Sequence, residues 1–259
     1  MNVYTSQTQF GKTEDFALQV ARGQIPGHSA ISIFGYNPDV DTTEESIWPD
    51  GGTVPHPTLA SVLKISSSSA DDTSAGTGAR TVTIVGLDGS YNQVSESITL
   101  NGQTAVNTTN SYLYVNGFYV ASTGSGGANA GNINAGTGVV TAGVPAVLYD
   151  IIATGYNNRT TAHYCVPAGY TGYLTTGVIT TGQASGSTSV TAFLKQHGQD
   201  GIVRVGAVST LNNGSVQYDF SYPYIISEKN CVGASAIGSA TNNSASAFFN
   251  IVLIKNYQD

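Results

Sequence analysis

From Pro57 to the end of the chain, short runs of alternating apolar and polar residues succeed one another, each closed off by Gly, Asn, Asp or Ser. Their spacing, roughly 8–12 residues, is that of strands in a sandwich or barrel, and none carries the i, i+3, i+4 apolar pattern of an amphipathic helix. The pattern predicts strands near 58–66, 79–87, 92–100, 111–122, 146–153, 159–166, 170–181, 188–197, 201–209, 214–227, 230–240 and 244–255. Thirty-one glycines, 15 tyrosines and abundant Thr and Val favour strands and tight turns in the same way. Hydrophobic residues make up 40% of the 259, enough for a sizeable core, while charged residues make up only 10%, so Ser, Thr, Asn and Gln must cover the surface. The expected fold is all-β, a jelly-roll-like β-sandwich present as one large or two small sandwich domains.

Three segments are expected. Residues 1–52 hold one alternating run, Phe16–Val20, and otherwise turn signals such as Ile25-Pro26-Gly27, Asn37-Pro38-Asp39 and Trp48-Pro49-Asp50-Gly51. They predict an extended N-terminal arm whose Phe10, Phe16, Ile33, Phe34 and Trp48 pack on the same chain or on a neighbouring subunit. Residues 53–143 and 144–259 are the two sandwich units, with the Gly/Ala/Asn/Thr stretch from Gly124 to Gly143 as the junction. In the closing strand Ala247, Phe249, Ile251 and Leu253 point one way and Phe248, Val252 and Ile254 the other, so both faces are apolar and the second needs a cover. Val216, Tyr218, Phe220 and Tyr222 predict a one-sided strand.

Chemistry is sparse. Nine Lys and Arg against sixteen Asp and Glu give a net charge of −7 with no basic cluster, which argues against direct nucleic-acid binding. No apolar stretch is long enough to predict a membrane span, and the N-terminus carries no secretory pattern, so Cys165 and Cys231 are expected to be reduced core cysteines, with a bridge as the alternative. Asp39, Asp41, Glu44 and Glu45 crowd one turn and Asp71-Asp72 another. An EF-hand calcium loop would need Asp or Asn at its fifth position and glycine at its sixth, where this chain has Thr43 and Glu44, so a solvated acidic turn is expected, and a cation on Asp39, Asp41 and Glu44 is the alternative. His28, His56, His163 and His197 lack metal-motif spacing. His163 and Cys165 share a strand face, and a packed histidine is expected there rather than a nucleophile and its base. Gly76-Thr77-Gly78 and Gly124–Gly127 lack the context of a phosphate loop. Glu96 falls by parity on the buried face of a hairpin formed around Leu87-Asp88-Gly89-Ser90 and is expected to pair with Arg80. The residues therefore assign no catalytic, cofactor-binding or metal-ligating position.

Several stretches carry a resemblance: Val20-Ala21-Arg22-Gly23 with Ile25-Pro26-Gly27-His28, the Trp48 turn, the loop SSSSADDTSAGTGAR of residues 66–80, the Leu87-Asp88-Gly89 turn, VPAGYTGYL after Cys165, Ile225–Lys229 and the final Phe249–Ile254 strand. Together they resemble a family of virion structural proteins of tailed phages from aquatic bacteria, over most of the chain from about Phe16 onward. The resemblance implies a non-enzymatic virion component assembled in the host cytoplasm. It would act as a homo-oligomer, dimer or trimer, in contact with the major capsid protein or other virion proteins, and the position expected first is capsid decoration or cement. The alternatives are a tail, adaptor or fibre protein that binds a host receptor or glycan through Tyr170, Tyr173, Tyr222 and Tyr224, or a hydrolase using carboxylates or Cys165 and His163.

Overall fold

The computed structural model describes residues 14–183 and 188–256. It is nearly all β. Among the described residues one short helix, α1 (Phe16–Ala21), precedes sixteen strands. The first two are β1 (His28–Val40) and β2 (Glu45–Ser46). Then follow β3 (Ser61–Ser67), β4 (Ala79–Leu87), β5 (Gln93–Thr99), β6 (Val106–Tyr112), β7 (Tyr114–Thr123), β8 (Ile133–Thr141) and β9 (Val144–Ile152). The last group is β10 (His163–Cys165), β11 (Tyr170–Gly182), β12 (Val190–His197), β13 (Val203–Leu211), β14 (Gly214–Ile226), β15 (Cys231–Gly238) and β16 (Asn243–Lys255). Among the described residues no helix is long and apolar enough to cross a membrane.

The strands make four antiparallel sheets in two bodies. In the terminal body one sheet has the order β1-β16-β11-β14 and the other β10-β15-β12-β13, with β2 also paired to β15. Alternation explains the packing: Val190, Ala192 and Leu194 of β12 and Ala247, Phe249, Ile251 and Leu253 of β16 turn inward to one shared cluster. Each fully buried aliphatic or aromatic side chain of this kind contributes about 1.5–3 kcal/mol. The inserted body runs from β3 to β9, with sheets β6-β3-β8-β9 and β5-β4-β7 closing over a second cluster built on Leu63, Ile65, Val82, Ile84, Phe118 and Ile133. Its two ends meet at the terminal body: Ala162 N–H donates to Ile47 O at 3.0 Å, and both neighbouring segments pair with β15.

Several expectations change. Residues 1–52 are not an arm throughout: His28–Val40 pairs with β16 along nearly its whole length and forms a sheet edge, where Pro38 is accommodated at a bulge between Asn37 and Val40. Phe16–Val20 is helical rather than extended, because Asp15 caps the N–H groups of Ala17 and Leu18. Phe10 lies outside the described residues. The boundary expected at 143/144 falls inside the β8–β9 hairpin, and the chain divides instead at the neck around Ile47 and Ala162. Trp48 is buried against Val54, Leu148 and Ile151, with its indole N–H donating to Gly51 O at 2.6 Å. Tyr222 is 91% exposed rather than in line with Val216, Tyr218 and Phe220, because β14 bulges opposite Thr175.

Candidate functional site

The outer face of the β10-β15-β12 sheet gathers three of the chain's four histidines and both of its cysteines. Residues opposite one another on adjacent antiparallel strands share a face. Cys165, Cys231 and His197 therefore stand in one row, and His163, Gly233 and Lys195 in the next. The alternating residues Tyr164, Val232 and Ala234 turn to the core. Gly233 leaves room for the histidine, since a Cβ there would lie 3.3 Å from His163 Cδ2.

The inserted body covers this strip. Leu87, Leu113 and Tyr114 pack against the two cysteines, and the segment leading to β3 lays His56 over the row. The His56 ring stacks on His197 at 3.9 Å and meets His163 edge-on at 5.0 Å, while Tyr114 lies 5.8 Å from His56 and 6.0 Å from His163. A cavity of about 210 Å³ opens here, lined in part by Glu44, His56, His163, Lys195 and His197.

Cys165 and Cys231 form a disulfide, which corrects the expectation of reduced thiols. Register brings it about: the two residues are direct cross-strand partners. Cys165 Sγ lies 3.8 Å from His163 Nε2, and donor atoms of His56, His163 and Cys231 all lie within 4.8 Å of one another. With its sulfur in a disulfide, Cys165 has no thiolate to offer as a nucleophile.

Burial disfavours charge on all three imidazoles. It pushes His56 down to about 4, with His197 adding to the effect. His163, fully enclosed, is driven well below the ordinary histidine range by burial, with His56, Arg159 and His197 contributing. His197 is lowered by burial and Lys195 against the opposing pull of Glu44. At neutral pH the cluster therefore presents uncharged rings. Behind it, buried Asp150 pairs with Arg159 and accepts the Thr161 hydroxyl at 2.6 Å, and Arg159 Nη1 donates to Asn116 O and His163 O, both at 3.1 Å.

The other singled-out residues go elsewhere. Glu44 pairs with Lys195 and accepts from Ser235, Asp41 accepts the Asn242 N–H at 3.3 Å, and Asp39 is exposed, so the acidic turn is dispersed among separate partners. Asp72 is buried and ties its own loop to the β7–β8 loop through the N–H groups of Ala79, Ala130 and Gly131. Gly78 packs so close that a Cβ would meet Asp72 Oδ1 at 2.1 Å, which gives the glycine a structural reason. Glu96 does not pair with Arg80. It accepts from the N–H groups of Thr109 and Asn110 at 2.8 and 2.9 Å and from the Tyr112 hydroxyl at 3.1 Å, while Arg80 Nε donates to Gly76 O. Tyr170 and Tyr224 pack on the core and leave Tyr222 standing out, so the four tyrosines do not make one flat platform. The chain positions of His56 and His197 carried no signal for this cluster; only the two-residue spacing of His163 and Cys165 hinted at it.

No protein-family model matches the chain, and no curated protein matches it in sequence. Among solved structures it is similar to the infectious bursal disease virus VP2 subviral particle, at 9% identity, covering 89% of this chain and 72% of that one, with a TM-score of 0.24. The infectious bursal disease virus Gt strain structure matches at 10% identity, 94% and 83% coverage and a TM-score of 0.19. Superpositions this loose carry no argument about what the chain does.

Proposed function

We propose that this chain is a non-enzymatic structural protein of a phage virion, a capsid decoration or cement protein built on a jelly roll and working as a homo-oligomer against the major capsid protein. The observation that carries the reading is the strand pairing of the terminal body. Taking β1 and β10 to β16 as eight strands in chain order, the first pairs with the eighth, the second with the seventh, the third with the sixth and the fourth with the fifth. A long antiparallel ribbon rolled up on itself gives that series, and the resulting double sheet is the jelly roll of many capsid and lectin domains. The motifs resembling phage virion proteins point the same way.

Self-association is supported by the open edges. Among the described residues, strands β13 and β14 each end a sheet, and Val203, Val205 and Val208 on β13 stand 48–53% exposed. Apolar residues along an unpaired edge are a template for a second chain. The disulfide supports the non-enzymatic reading, because it removes the thiolate that a Cys165–His163 hydrolase would need.

Quantitative proteomics of purified particles tests the proposal. A copy number matching the shell's subunits is expected. A number matching a single ring would move the protein to the neck or tail, and absence from particles would end the virion reading. The alternative, a tail, adaptor or fibre protein that binds host glycans, is favoured by Tyr222 alone. Binding on a glycan array that Tyr222→Ala abolishes would select it.

A further inference from the structure

The histidine–cysteine strip offers more than a disulfide. Two imidazoles and two sulfurs from three separate chain segments converge beneath the inserted body, with His163 Nε2 at 3.8 Å from one sulfur and the donors of His56, His163 and Cys231 within 4.8 Å of one another. A tetrahedral zinc ion, with bonds of about 2.0–2.1 Å to nitrogen and about 2.3 Å to sulfur, needs donor-to-donor edges of about 3.3–3.8 Å. His163 Nε2 already stands at that distance from the Cys165 sulfur, the donors of His56, His163 and Cys231 lie within 4.8 Å of one another, and reduction frees the two sulfurs to move apart. We propose that, when the Cys165–Cys231 disulfide is reduced, His56, His163, Cys165 and Cys231 hold one zinc-type divalent ion in a closed structural site.

The chemistry balances in two steps. A dithiol reductant delivers two electrons and two protons to the disulfide, is itself oxidised to a disulfide, and leaves two protein thiols. The ion then displaces one proton from each thiol and binds two thiolates and two neutral imidazoles. Charge explains why reduction is required. His163 and the two sulfurs are buried, Lys195 and Arg159 stand close by, and Glu44 is already paired with Lys195. Uncharged histidines alone would leave a buried divalent ion uncompensated, whereas two thiolates cancel its charge. Four protein ligands, Cys165, Cys231 and His163 at 0%, 2% and 5% exposed and His56 half-buried, fill a tetrahedral ion, so it has no open position and serves as a fastener, not a Lewis acid. The same residues thus join the inserted body's entry segment to the terminal body through metal under reducing conditions, and pin the terminal sheet through a covalent bond under oxidising ones.

The test uses the full-length chain, stripped of metal by a chelator and prepared either oxidised or reduced with a phosphine. Zinc is titrated in competition with a chromophoric chelator, and cobalt is substituted to read the ligand set. One zinc per chain is expected in the reduced form and none in the oxidised form, with near-ultraviolet thiolate-to-cobalt charge transfer and a tetrahedral visible band. His56→Ala leaves the disulfide pair untouched and should lose stoichiometric binding, whereas His28→Ala should not. Equal binding by oxidised and reduced protein overturns the proposal, as does cobalt bound without thiolate charge transfer, or no binding by the reduced chain. If the reduced, metal-free chain loses its near-ultraviolet circular dichroism, recovery on adding zinc supports the site and failure to recover overturns it.

Discussion

Asp72 offers the sharpest test of how the inserted body is held. Its carboxylate is buried at the centre of the loop between β3 and β4. Oδ1 accepts the N–H groups of Ala79 at 2.6 Å and Ala130 at 2.8 Å, and Oδ2 accepts the Ser67 hydroxyl at 2.6 Å and the Gly131 N–H at 2.9 Å. Asp72→Ala would strand three backbone donors at about 1–3 kcal/mol each. Water entering the vacated space recovers part of this, so a loss of about 4 kcal/mol is expected, a large share of the roughly 5–15 kcal/mol that holds a typical domain together. Asp72→Asn keeps one acceptor oxygen but turns an amide N–H₂ toward the Gly131 N–H, while the Ser67 hydroxyl can rotate to accept. About 2 kcal/mol should go. Asp71→Ala, at the exposed neighbour, should cost almost nothing. Urea unfolding followed by the fluorescence of Trp48 reads the right body, because the chain's one tryptophan is packed against Leu148 and Ile151 of β9. A midpoint for Asp72→Ala indistinguishable from that of Asp71→Ala would refute the reasoning.

Other outcomes follow from the same geometry. Removing the disulfide with the Cys165→Ala, Cys231→Ala double variant, measured with a chelator present, should cost about 4 kcal/mol, from the entropy of closing a loop across a separation of 66 residues; an unchanged unfolding midpoint would contradict it. Glu96 is a lowered carboxyl: burial opposes ionisation, but the Thr109 and Asn110 N–H groups and the Tyr112 hydroxyl outweigh it. Its stabilisation is present above the unfolded carboxyl range and is lost as pH falls through the lowered folded value. Glu96→Gln should therefore melt below the parent at pH 7 and converge with it in acid, as thermal scans across pH would show. His56 resists protonation when folded, so the unfolded chain takes up the proton first. Stability should decline as pH falls from about 6.5 toward about 4, by at most about 3 kcal/mol from this residue, and His56→Gln should flatten that slope in urea titrations. Asp150→Ala should lower the unfolding midpoint by about 3–5 kcal/mol equivalent, since it leaves the Arg159 charge buried without its partner, and a loss under about 1 kcal/mol would count against that.

Strands with a plain two-residue rhythm were legible in the chain. β4 matches its expected bounds, β5, β12 and β16 lie within a residue or two of theirs, and the β4–β5 hairpin pairs in one unbroken register. β8 was hidden because Ile133–Thr141 mixes Ala, Gly and Thr, whose small side chains bury without producing an alternation of apolar and polar. β1 was masked by Gly35 and Pro38, which signal a turn in isolation but sit in an edge strand once β16 lies beside them. The histidine–cysteine strip was beyond sequence reasoning for a different reason. It depends on which strands become neighbours and in what register, and Cys165 opposite Cys231 follows from β10 lying on β15, a pairing that no local pattern specifies. Glu96 stands out in the sequence but its partners do not, since two of its three donors are backbone groups at 109 and 110 that carry no side-chain signature and the third is the uncharged Tyr112 hydroxyl.

The neck has a consequence for how such a chain can change. Ser46 and His163 pair with Ser235 and Gly233, two residues apart on the same strand, and Ile47 and Ala162 are hydrogen-bonded across the gap. Two residues of strand span about 7 Å, a distance that a short turn can bridge. The chain from Trp48 to Thr161 leaves and re-enters the terminal body at those two adjacent strand ends, and the eight-strand pairing of the terminal body closes without it. The inserted body is placed to behave as an exchangeable cassette: it can be swapped or lengthened while the strand wiring beneath stays the same, provided its replacement still covers the Cys165–Cys231 strip.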